Sequence, residues 1–190
     1  YVTAEDVGTS VADMETMRAV TPYVAGLRRG AGDPSPYTAR GVLRAMQACL
    51  QFRFGTAEVR DRAIAIQGVG AVGYALAQLL AGMGARLVVT DAAAERTERA
   101  ARELNARVVD PEAIYDAEVD VFAPCALGAG INDRTIGRFR APIVVGAANN
   151  QLDRADHGDL LEARGITYGP DYIANAGGVM SGASDILGWP

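Results

Sequence analysis

The chain contains no lysine; all 18 of its basic residues are arginine. It therefore has no side-chain amine to form a Schiff base or to act as an ammonium whose pKa burial can tune. Cysteine is nearly absent. Cys49 and Cys125 lie far apart with no CxxC or CxxH neighbour, so reduced thiols are expected rather than a disulfide framework or a metal site. No apolar run approaches the roughly 20 residues that cross a bilayer, and the N-terminus lacks the charged-then-apolar pattern of a secretory leader. A cytoplasmic protein with no membrane partner is expected. The 18 basic residues are scattered among 23 acidic ones, without the clustered stripe that a nucleic-acid partner requires. The single histidine, His157 in Asp156-His-Gly-Asp159, reads as a surface residue at a helix start rather than a base.

What is present describes one globular domain. At 190 residues, 49% hydrophobic and 22% charged, the chain can bury one good core, whereas two domains would each be small. Ser10-Val-Ala-Asp13 has the spacing of a capping box, which predicts a helix over 10–20. Three prolines and three glycines within 21–36 predict a loop. A second helix is predicted over 38–54, with Val42, Met46, Cys49 and Leu50 on one face. Beyond it, short β-branched runs at 63–67, 85–90, 107–109, 119–123, 143–145 and 166–168 alternate with helical patterns at 72–83, 94–105, 133–139 and 155–164. Strands that are apolar on both faces and separated by helices call for a parallel sheet covered on both sides. The expected fold is α/β: a Rossmann-type, doubly wound, mostly parallel sheet with helices on both faces, preceded by a helical segment over 1–55.

One stretch carries chemistry. Ile64-Ala-Ile-Gln-Gly-Val-Gly-Ala-Val-Gly73 runs from a predicted strand through three spaced glycines into a predicted helix, and the next strand closes on Asp91, 18 residues after Gly73. Gly68 permits the tight turn, Gly70 lets backbone approach a pyrophosphate, and Gly73 lets helix and strand pack closely. The start of the helix at Ala71 and Val72, with Val69 in the turn, offers free N–H groups and a positive dipole end to phosphate. Asp91 can accept hydrogen bonds from both adenosine ribose hydroxyls and repels a 2′-phosphate, which argues for NAD over NADP. Ala92, Ala93 and Ala94 bring no cation to soften that repulsion; Arg96 is the next residue that could reach in. Turn-forming glycines and a helix-capping aspartate are the plainer alternative for these residues.

Five further segments spread along the chain carry a resemblance: Tyr1-Val-Thr-Ala-Glu-Asp-Val-Gly-Thr-Ser10 with Ala12-Asp13-Met14, Gly32-Asp-Pro-Ser-Pro-Tyr-Thr-Ala39, Phe122-Ala-Pro-Cys-Ala-Leu-Gly128, Gly146-Ala-Ala-Asn-Asn-Gln-Leu152 and Pro170-Asp-Tyr-Ile-Ala-Asn-Ala-Gly-Gly-Val179. Together they resemble the leucine, phenylalanine and valine dehydrogenase branch of the glutamate dehydrogenase superfamily. That resemblance implies interconversion of an apolar L-amino acid and its 2-oxo acid with NAD(H), releasing or taking up ammonia, in a homo-oligomeric enzyme. It implies Asp6 as the catalytic aspartate, a proton acceptor suited to imine chemistry. Thr38 and Asn149 match nicotinamide contacts. Ala126 and Leu127 match an apolar wall beside the ring, with Cys125 and Ala148 next to the cofactor and Cys125 expected to pack rather than react. Asn150, Asn175 and Val179 match the substrate side. Read without the resemblance, Asp6 is an ordinary N-terminal residue, Thr38 a helix N-cap, and 175–179 a glycine-rich helix start.

In that family a preceding domain binds the amino acid and supplies catalytic lysines, and C-terminal helices follow. The resemblance thus implies a cofactor domain without turnover of its own. A free-standing NAD-binding regulatory module and another Rossmann dehydrogenase, of the methylene-tetrahydrofolate or shikimate type, are the alternatives; the second would need a lysine of its own. Val179 and Met180 suggest an apolar substrate side chain, making glutamate the least expected substrate.

Overall fold

The computed structural model describes residues 1–6, 8–28 and 32–187. Residues 29–31 of the loop expected over 21–36, and the chain end at Trp189-Pro190, lie outside the described residues. Helix α1 (Val11–Arg18) starts with the expected capping box: Ser10 N–H donates to Asp13 Oδ2 at 2.8 Å, and the Asp13 N–H is returned to the Ser10 hydroxyl. Helix α2 (Ser35–Phe54) then delivers a buried face of Ala39, Val42, Leu43, Met46 and Leu50. It begins three residues earlier than the periodicity predicts. Asp33 Oδ1 accepts from Ser35 N–H at 2.8 Å, and Pro36 sits in the first turn, where its missing N–H costs nothing. Thr38 is therefore not an N-cap; its hydroxyl donates back to Pro34 O at 3.1 Å.

The rest alternates strand and helix: β1 (Ala63–Gln67), α3 (Ala71–Gly82), β2 (Arg86–Thr90), α4 (Ala94–Leu104), β3 (Arg107–Val108), a short 3-10 turn (Ala113–Asp116), β4 (Val121–Pro124), β5 (Ile143–Val144), α5 (Asp156–Ala163), β6 (Thr167–Tyr168), α6 (Asp171–Ala174) and α7 (Gly177–Leu187). All six strands pair in parallel in the order β3-β2-β1-β4-β5-β6. Successive side chains of a strand point to opposite faces, and both faces here are apolar. Ile64, Ile66, Leu87, Val89, Val121 and Ala123 pack with α2 and α3, while Ala65, Val88, Phe122 and Val144 pack with Ile114, Tyr115, Phe139 and Leu161 on the other side. The chain winds outward from β1 to β3 and then returns to place β4 on β1's other edge. Crevices at that reversal, outside the carboxyl ends of the strands, are where ligands bind in open α/β sheets.

Two further expectations fail. Within the helix expected over 133–139, residues 133–138 form hydrogen-bonded turns and no helix. Asn132 and Thr135 compete for the local backbone: the Asn132 side chain accepts from Arg134 N–H at 3.0 Å, and the Thr135 hydroxyl donates to Gly130 O at 2.7 Å. The helix-like spacing of Ile136 and Phe139 reflects burial alone. His157 is not a surface residue but fully buried. Its Nδ1 accepts from Arg154 N–H at 3.1 Å, so the neutral ring carries its proton on Nε2, 3.1 Å from Asp133 Oδ1. It pins α5 to the 131–138 turns, a structural task.

Candidate functional site

The glycine turn after β1 is built by backbone contact. Gly68 has φ +92°, and a Cβ there would stand 2.9 Å from Ala126 N in the turn after β4. At Gly73 a Cβ would stand 2.0 Å from Gly68 O, so α3 closes directly onto the turn. Gly70 differs. Around it a Cβ would meet just Arg96 Nη1, at 3.6 Å, leaving the backbone approachable from the cleft. Helix α3 starts from Gly70 with no side-chain cap and no acidic residue in its first turn, so Ala71, Val72 and Gly73 present N–H groups and the dipole end without an anion in place.

Asp91 lies just past β2 with its side chain 7% accessible. Its Oδ2 accepts from Val69 N–H at 2.8 Å and its Oδ1 from Ala93 N–H at 2.9 Å. Those two bonds orient the carboxylate and leave acceptor capacity, since an ionised carboxylate has about four lone-pair sites. A cleft of about 360 Å³ opens here, lined among others by Ser35, Gly70, Ala71, Tyr74, Arg96 and Arg99.

On the other side of the crevice Cys125 N–H donates to Gln67 O at 2.7 Å, and burial pushes its thiol up to about 12, consistent with packing and not with a nucleophile. Ala126 and Leu127 are exposed at the rim, Leu127 by 78%. Ala148 is buried, its N–H bonded to Pro124 O at 2.9 Å. Next in the chain, Asn149 and Asn150 are exposed, and Asn150 holds a left-handed φ of +50°. Asn175 Nδ2 donates to Asn149 Oδ1 at 2.7 Å and to Ala147 O at 3.2 Å, which joins the loop after β5 to the start of α7. Thr38 belongs to the same seam: a Cβ on Gly178 would stand 2.5 Å from its Oγ1, and one on Gly177 2.2 Å from Tyr37 O. Val179 follows on α7, 77% exposed. Asp6 is an exposed residue of the N-terminal segment, where Thr9 Oγ1 accepts from its N–H at 2.9 Å. Its neighbour Glu5 has its carboxyl raised above the ordinary range by burial and by the charges of Asp33 and Asp13.

Sequence reasoning missed Gln151. Fully buried, it donates through Nε2 to Gly146 O at 2.9 Å and Ala148 O at 3.0 Å, holding the loop that carries Asn149. A glutamine directly after two asparagines was the signal available. The diglycine Gly177-Gly178 was another, because two adjacent residues without Cβ mark a close approach of backbone. Among the described residues no His/Cys/Asp/Glu group is placed to hold a metal ion, and no helix is long and apolar enough to cross a membrane.

Fold and site together define a Rossmann-type nucleotide-binding domain. Residues 38–127 match the family described as D-isomer specific 2-hydroxyacid dehydrogenase, NAD binding domain, and residues 89–188 match Glutamate/Leucine/Phenylalanine/Valine dehydrogenase. The chain belongs to the Glutamate/Leucine/Phenylalanine/Valine dehydrogenase family. It is 49% identical over its whole length to leucine dehydrogenase of Thermoactinomyces intermedius, covering 52% of that enzyme. Identity to phenylalanine dehydrogenase of Lysinibacillus sphaericus is 39%, over 99% of the chain and 51% of that enzyme. The crystal structure of L-tryptophan dehydrogenase from Nostoc punctiforme superposes with a TM-score of 0.86 at 36% identity, over all of this chain and 55% of that one. The chain spans about half the length of the relatives it matches.

Proposed function

We propose that this chain is the NAD-binding domain of an NAD-dependent amino-acid dehydrogenase that oxidatively deaminates an apolar L-amino acid to its 2-oxo acid and ammonia. The observation that carries the reading is the meeting of a phosphate turn backed by Asp91 with the Asn149–Asn175 amide pair at one edge of the sheet. Gly68, Val69, Gly70, Ala71, Val72 and Gly73 cradle the pyrophosphate, and Asp91 accepts from the adenosine ribose. Cys125, Ala126, Leu127 and Ala148 bound the nicotinamide, and Thr38 and Asn149 hold its carboxamide. Bound NAD supplies the hydride acceptor. Asp6 takes the proton that the amine or water must lose, as a general base. Asn150, Asn175 and Val179 face the substrate, and the exposed apolar Val179 favours an aliphatic or aromatic side chain over a charged one.

Turnover belongs to the whole protein, which we take to be a cytoplasmic homo-oligomer whose other half supplies the amine groups this chain lacks. The 190-residue chain by itself binds NADH with a measurable change in fluorescence and yields no amino-acid-dependent reduction of NAD. Assaying the whole protein against a panel of L-amino acids with NAD tests the rest. Activity on leucine, valine, phenylalanine or tryptophan is expected; activity confined to glutamate, or none on any amino acid beside intact NADH binding, would defeat the proposal.

A further inference from the structure

Arg96 stands where neither the glycine turn nor Asp91 requires a cation. It is the third residue of α4, with Nη1 3.5 Å from Asp91 Oδ1 and 3.6 Å from the position a Cβ on Gly70 would take. The guanidinium thus bridges the gap between the carboxylate after β2 and the uncapped start of α3. Asp91 is fixed by two backbone N–H groups, whereas Arg96 is 54% accessible and held by that one long contact. Arg99, one turn along the same helix and lining the same cleft, is committed elsewhere. It donates to Glu103 at 3.2 Å and lies 3.9 Å over the Tyr74 ring.

Resting on the cofactor reading above, we propose that Arg96 lets this site accept NADP as a second, weaker cofactor by pairing the 2′-phosphate that Asp91 alone would repel. An acidic residue at this position selects the free 2′-hydroxyl, and a nearby arginine is what accommodates the 2′-phosphate in this fold. Here one site has both. A guanidinium 3.5 Å away already offsets part of the Asp91 charge, and its planar fork can turn from carboxylate to phosphate and bind two oxygens at once. With NAD the ribose hydroxyls use the Asp91 lone pairs that Val69 and Ala93 leave open, and Arg96 is not needed. Its contribution is therefore specific to the phosphorylated cofactor.

The test titrates the 190-residue chain and its R96A variant with NADH and NADPH, and with 5′-AMP and 2′,5′-ADP, which differ by the 2′-phosphate. The exposed position of Arg96 lets the variant fold, which a thermal melt checks. The chain is expected to bind both dinucleotides, NADH more tightly. R96A should weaken NADPH and 2′,5′-ADP by about tenfold or more, the size of one hydrogen bond to a charged group, and leave NADH and 5′-AMP within about twofold. Three outcomes would overturn the inference: NADPH that does not bind the unaltered chain, NADPH affinity indifferent to R96A, or NADH weakened as much as NADPH, which would make Arg96 a general phosphate contact. NADH that fails to bind the unaltered chain would remove the cofactor reading along with it.

Discussion

The turn after β1 and the loop after β5 lie at the same edge of the sheet but are held by different means. In the first, backbone meets backbone: Gly73 on Gly68 O, Gly68 on Ala126 N, and Asp91 bonded to Val69 N–H. In the second, backbone contact is present too, a Cβ on Gly146 standing 2.2 Å from Pro124 O, but side-chain amides are added to it: Gln151 under Gly146 and Ala148, and Asn175 across to Asn149. Backbone contact tolerates no added atom, so Gly73 in the first region and Gly146 in the second both have to be glycine. Side-chain amides exchange partners with water at small cost, so the Asn149–Asn175 pair can change partners where the glycine turn cannot.

The largest effects should come from added methyl groups. Gly73→Ala forces a Cβ to within 2.0 Å of Gly68 O and Gly146→Ala one to within 2.2 Å of Pro124 O, overpacking of the kind that costs about 1–3 kcal/mol. Thermal melts should drop for both. The ligands separate them: G73A should lose NADH and ADP-ribose alike, whereas G146A should lose NADH more, because ADP-ribose lacks the nicotinamide. Equal losses in both variants would erase the distinction between the regions.

Gln151→Leu comes next. It strands two buried carbonyls at a cost of about 1–3 kcal/mol and should weaken NADH with little change for ADP-ribose. A smaller change is expected from Asn175→Ala, which removes neutral amide bonds and should raise the NADH dissociation constant by about two- to tenfold, read by fluorescence titration. If ADP-ribose weakened in step, the amide pair would be serving stability and not the ring.

Asp133 offers a pH test away from the site. Hydrogen bonds from Arg154 and His157 hold its carboxyl far below the usual carboxylate range. A depressed folded-state value means that its stabilisation is present above the unfolded value, about 3.9, and is lost as pH falls below that. Melting temperature in the unaltered chain should therefore fall as acid is added below pH about 4, and Asp133→Asn should flatten that part of the curve. The smallest effect is expected at Cys125. With its thiol pushed up to about 12, a thiol reagent at mildly alkaline pH should leave it unlabelled until the chain is unfolded, and Cys125→Ser should bind NADH normally.

Much of this is legible in the sequence alone. Runs such as Ile64-Ala-Ile66 and Leu87-Val-Val89 are apolar at every position, and a strand with two buried faces has few alternatives. Ser10 and Asp13 announce α1 because a capping box is a contact between near neighbours. The helix expected at 133–139 failed for a local reason too, since Asn132 and Thr135 offered the backbone better partners than a helical ladder. His157 does stand at a helix start, as its sequence neighbours suggest, but not on the surface. Its burial depends on Asp133, 24 residues away, and on α5 docking against the opposite sheet face.

Composition and spacing thus determined the α/β class, the glycine turn after β1, the place of Asp91 behind the next strand and the absence of a lysine amine, because each is written in neighbouring residues or in simple counts. Tertiary structure decided that Asn149 meets Asn175, that Gln151 supports them from below, that Gly178 admits α7 onto Thr38, and that Arg96 leans over Gly70. Those are contacts between segments far apart in the chain. They exist because burying both faces of one parallel sheet brings the carboxyl ends of its strands, and the loops that leave them, to a single edge.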